Sequence, residues 1–91
     1  MTVEGVKEAL RIRSSTFDGE ISVLMDAARR DLAACGVGPE MEPDALYGQA
    51  IIAYCKAHFG VDDEGVAERW SGIYRNLAQH MALCATYNGG D

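Results

Sequence analysis

Four residues in the second half of the chain have types and spacings that could hold a metal: Cys55 and His58, three apart, and His80 and Cys84, four apart. Each pair would share one face of a helix, which is how a Cys₂His₂ zinc site draws ligands from a helical turn. His80 beside Cys84 is also the arrangement of a base next to a thiol nucleophile. Spacing argues against both chemistries. The short link around Gly60 to Asp62 favours an antiparallel hairpin. His58 then sits near the turn, while His80 is about seventeen residues along the second helix, roughly 25 Å away. One subunit cannot close such a site, which leaves only a site shared between subunits. The acids Asp62, Asp63 and Glu64 lack the glycine-centred twelve-residue pattern of a calcium loop and read as caps at a helix N-terminus. No phosphate-cradling glycine loop, nucleophile elbow or HExxH helix is present, and a domain this small offers little room for a substrate pocket. The expectation is therefore no metal, no cofactor and no enzymatic activity.

The elements that would position these residues are helices. Thr2, followed by Val3, Val6, Leu10 and Ile12, predicts a short amphipathic helix over 3–12, with Glu4 at its start and Arg11 and Arg13 at its end complementing the helix dipole. After the polar break Ser14-Ser15-Thr16, a second helix capped by Thr16 or Asp18 carries Ile21, Leu24, Met25, Ala28, Leu32 and Cys35 on one face and ends at Gly36. Residues 36–44, GVGPEMEPD, hold both prolines and form the main loop. A third helix starts near Asp44, presents Leu46, Tyr47, Ala50, Ile51, Tyr54, Cys55, His58 and Phe59, and is capped by Gly60. So wide a stripe predicts a central helix. The fourth helix runs over about 63–86 with Val66, Trp70, Ile73, Tyr74, Leu77, Met81 and Cys84 at helical steps. At roughly 35 Å it outreaches its neighbours, so part of its apolar face should meet another molecule. The prediction is an all-α small bundle forming a single domain over 1–91, with one short, two medium and one long helix and an antiparallel hairpin over 44–86. A flexible tail, 87–91, should follow, because Gly89 and Gly90 stop a helix.

Composition narrows the function classes. An apolar fraction of 48% with 24% charged residues belongs to a folded chain. Fourteen acids against eight bases, a formal charge of −6, disfavour binding to nucleic-acid phosphate or anionic lipid. The longest apolar run, AIIAYC, is far short of the roughly 20 residues that span a bilayer, and no basic segment precedes an apolar stretch at the start, so the chain reads as cytosolic. Cys35, Cys55 and Cys84 all fall on apolar helical stretches and read as reduced, packed thiols.

The run AIIAYCKAHFG, an acidic link and then ERWSGIYRNLAQHMALCATYN resemble the small helical head-tail connector proteins of tailed bacteriophages and prophages, often labelled DNA-packaging proteins. The resemblance rests on Tyr54, Lys56, Ala57, Phe59 and Gly60 closing one helix, and on Arg69, Tyr74, Leu77, His80, Met81 and Tyr87 marking the next. It covers the C-terminal forty residues; the N-terminal half matches in layout only. It implies a structural virion protein, assembled in the host cytoplasm and located at the head-tail interface. Such proteins form a ring, commonly of twelve copies, beneath the portal and present a platform for a stopper or tail-completion protein. DNA would pass through the ring without sequence-specific binding, and no membrane is involved.

Within that frame, Arg11, Arg13, Arg29 and Arg30 of one copy are expected to pair with Glu40, Glu42 and Asp44 of the next in a head-to-tail contact. The tail residues Tyr87, Asn88, Gly89, Gly90 and Asp91 are expected to reach the portal. Two alternatives stay open: a small helical interaction or regulatory domain, and another packaging component such as a stopper or small terminase subunit.

Overall fold

The computed structural model describes residues 2–59 and 64–89. Four α-helices follow one another along the chain: α1 Val3–Leu10, α2 Asp18–Ala34, α3 Ala45–His58 and α4 Glu64–Gly89, with one 3₁₀ turn at Pro39–Met41 between α2 and α3. Among the described residues there is no strand, so the architecture is an all-α small bundle.

The Thr2 hydroxyl caps α1, accepting from the Gly5 N–H at 3.2 Å. The helix stops two residues before the expected end because Arg11 takes a left-handed conformation, φ 60°. Its N–H donates to the Glu8 carbonyl at 3.1 Å, and the Ile12 N–H reaches back to the Lys7 carbonyl at 2.9 Å. This is the paired closing bond that usually calls for glycine at the left-handed position.

α2 starts without either of its expected caps. Phe17 occupies the cap position with no side-chain bond to the helix. Thr16 instead turns back on Ser14, with the two hydroxyls 2.7 Å apart and its N–H donating to Ser14 Oγ at 3.1 Å. Ile21, Met25, Ala28 and Leu32 are buried as the spacing requires. Cys35 corrects the expectation: it is exposed. The helix has ended by then, Gly36 turns the chain at φ +93°, and Val37 folds under with its N–H on the Leu32 carbonyl at 2.8 Å. Val37 is fully buried, taking the inward place that the spacing had assigned to the thiol.

α3 opens on Asp44, whose carboxylate accepts the Leu46 N–H at 2.8 Å. Tyr47, Ala50, Ile51, Ala53, Cys55 and Ala57 are all buried, a spread that leaves little solvent face, and α3 packs against each of the other three helices. It is the centre of the bundle. Phe59 closes it, with its N–H on the Cys55 carbonyl at 2.8 Å; Gly60, expected as the cap, lies outside the described residues.

α3 and α4 form the most extensive pair. The Tyr54 and Tyr74 rings meet edge to face at 5.1 Å, and Lys56 Nζ sits 4.4 Å from the centre of the Trp70 ring. Stepping forward on one helix steps back on the other, so the hairpin is antiparallel. That register sets Ala45, the first residue of α3, about level with Ala82. α4 continues to Gly89, and Leu83, 72% exposed, is the first residue past the end of its partner. The overhang accounts for an elongated outline of 45 × 26 × 18 Å.

Candidate functional site

At the end of α1, Lys7, Glu8, Arg11, Ile12 and Arg13 line a groove of about 470 Å³. Lys7 is buried, because the turn of α1 that carries it faces α2. Its Nζ lies 2.9 Å from Asp18 Oδ1, an electrostatic contact whose angle does not make a hydrogen bond. The aliphatic stem packs inward while the charge meets the first residue of α2. Arg11 and Arg13 are exposed, and among the described residues their side chains form no hydrogen bond or ion pair.

The three acids expected to bridge subunits, Glu40, Glu42 and Asp44, follow the other end of α2, about 25 Å away at 1.5 Å per residue. Arg29 Nε donates to Glu42 Oε1 at 2.9 Å, and its Nη1 lies 3.3 Å from Asp26 Oδ1. Burial, assisted by the Glu42 charge, lifts the Tyr47 hydroxyl above its ordinary pKa beside this pair. Asp44 is engaged as the cap of α3, whereas Glu40 stands exposed on the 3₁₀ turn. One further polar tie crosses the bundle: the Tyr74 hydroxyl donates to Asp31 Oδ2 at 2.5 Å. Burial, and then this bond to a carboxylate, hold the Tyr74 proton well above the usual tyrosine range.

Of the seven residues expected to bridge subunits, Arg29 and Glu42 therefore meet within one chain, and Asp44 holds its own helix. Arg11 and Arg13 lie at one end of α2, Glu40 at the other, and Arg30 is exposed along it. Of the tail, Tyr87, Asn88 and Gly89 fall within the backbone of α4, while Gly90 and Asp91 lie outside the described residues. Lys7 was missed by sequence reasoning. An apolar stripe ignores charged positions, and only its place beside Val6 on the inward turn hinted at it.

The cysteine and histidine constellation comes apart. Cys55 is fully buried, which pushes its thiol up to about 11 and disfavours the thiolate that a metal or a nucleophilic attack requires. His58 is exposed and packs on Tyr54, ring centres 4.4 Å apart, and His80 is exposed on α4. The side chain of Cys84 lies outside the described residues. Among the described residues no three His, Cys, Asp or Glu side chains could jointly hold a metal. A second groove of about 650 Å³, between His58 at the end of α3 and Glu64, Glu68 and Arg75 of α4, mixes both charge signs on an open surface. No described helix is long and apolar enough to cross a membrane.

Comparison with known proteins gives one family: the model described as phage connector protein matches residues 3–88. No curated protein and no solved structure matches the chain.

Proposed function

The chain belongs to the phage connector protein family, and on that premise we propose that its copies close into a dodecameric ring beneath the portal of a filled head. A connector is a structural virion protein that works in association with other head and tail proteins. In the proposed ring the chain extends the DNA channel and joins the portal to a stopper or tail-completion protein, after assembly in the host cytoplasm. The observation that supports it best is the α4 overhang. A helix about 39 Å long beside one of about 21 Å leaves Leu83 exposed beyond the monomer's core, where a neighbouring chain would cover it.

With Arg29 and Glu42 joined within one chain and Asp44 capping α3, adjacent copies would meet through Arg11, Arg13 and Arg30 on one side and Glu40 on the other, with residues 87–91 directed at the portal. A charge of −6 per copy would keep passing DNA from adhering to the ring. The test is electron microscopy of the purified chain mixed with its portal. A ring coaxial with the portal is expected; a chain that ignores the portal but retards random DNA at moderate salt would move it to the regulatory reading. Deleting residues 87–91 should reduce co-purification with the portal, and undiminished binding would remove the tail from the contact.

A further inference from the structure

We propose that the groove at the end of α1 is the socket for the acidic turn of a second copy, with Glu40 of that copy seated between Arg11 and Arg13. The contact rests on the ring reading and specifies which of the candidate charges make it.

Three observations converge. The groove sets three basic side chains against one acid, Glu8, on a chain of net charge −6, and the Lys7 charge is already met by Asp18, so Arg11 and Arg13 together outweigh Glu8 and carry the attraction. Arg11 is held there by a left-handed backbone that closes α1, which fixes its Cα at the rim of the groove. Among the acids of the other end, Glu42 accepts from Arg29 and Asp44 caps α3, whereas Glu40 has no hydrogen bond or ion pair among the described residues. Pro39 opens the turn that presents it, and a preset φ lowers the cost of ordering the turn in a socket.

Geometry gives the contact its polarity. Phe17, just before α2, packs on Phe59 at 5.3 Å, which puts the groove at the hairpin-turn end, while the Pro39–Met41 turn follows the far end of α2. Socket and plug are thus separated by the length of α2, and no copy can fill its own groove. Unlike patches joined head to tail close into a ring when the rotation per step allows it.

The experiment is a charge swap read by the fraction of chain assembled on the portal at about 0.1 M salt, where exposed charges act within roughly 10 Å. Arg11→Glu with Arg13→Glu, and Glu40→Lys separately, should each lower that fraction about tenfold, because like charges then face one another. The triple variant, which reverses both sides of every contact, should recover most of it. All of these side chains are exposed, and circular dichroism should show native helix content in each variant. Single-side variants that assemble like the wild type, or a folded triple variant no better than its parents, overturn the contact while leaving the ring standing. Variants that assemble normally but lose residual DNA retention overturn it in favour of a phosphate-binding groove. A wild-type chain that forms no ring with its portal overturns the ring reading itself, and with it this contact.

Discussion

Arg11 sits where an L-residue is strained by about 1–2 kcal/mol and glycine is not. Arg11→Gly should therefore raise the unfolding free energy by about 0.5–1 kcal/mol, the gain being reduced by the extra freedom of glycine in the unfolded chain. Urea unfolding of the isolated protein checks this; a lower midpoint would show that the arginine side chain contributes more to the fold than its backbone strain costs. Cys55 makes a second prediction. Its thiol moves from 9.0 to about 11 on burial, so between those values the folded chain keeps a proton that the unfolded chain has released. That contribution is complete below pH 9 and declines as pH rises, at about 1.4 kcal/mol per pH unit. Tyr74 adds the same sign of dependence above pH 10. Unfolding measured from pH 8 to 10 should show the decline beginning near 9 in the wild type and clearly weaker in Cys55→Ala, where only buried tyrosines such as Tyr47 and Tyr74 remain to cause it; equal slopes would refute the assignment. At this scale the sequence was legible where a backbone rule forces a residue, as at Gly36 and Asp44. It was opaque where a charged stem packs inward, as at Lys7, or where a helix ends one step before an apolar residue, as at Cys35.

The central helix α3 was legible because its apolar positions spread too widely for a helix with one wet face. Its fully buried Ile51 should be among the costliest truncations: Ile51→Ala is expected to lose about 2–5 kcal/mol, measured by denaturant unfolding, since α3 meets all three other helices and the site cannot collapse freely. A loss below about 1 kcal/mol would mean the bundle repacks around α3. The antiparallel pairing of α3 with α4 followed from the shortness of their link. Helix ends were less legible. α1 stops at Leu10 because a non-glycine residue takes the left-handed turn, and α2 begins at Asp18 because Thr16 spends its hydroxyl on Ser14. Neither choice leaves a trace in apolar spacing.

For the whole molecule, the mismatch between α3 and α4 would make stability and the proposed ring assembly separable. Leu83→Asp should change monomer stability by no more than about 0.5 kcal/mol, because a side chain 72% exposed has little burial to lose. The same change should sharply reduce assembly on the portal, read by size-exclusion chromatography with light scattering. Full assembly of that variant would detach the overhang from the ring. The excess length of α4 was visible in the sequence; which charges lie at which end of the molecule was not, because that depends on how α1 and the 3₁₀ turn dock against α2. The hairpin seam also carries the chain's single tryptophan, half-buried with the Lys56 ammonium over its ring. Trp70 is thus a built-in optical reporter. Its emission should shift to the red if the two helices part on docking and stay fixed if they move as one rigid rod, so an unlabelled protein can reveal by colour whether joining a virion bends it.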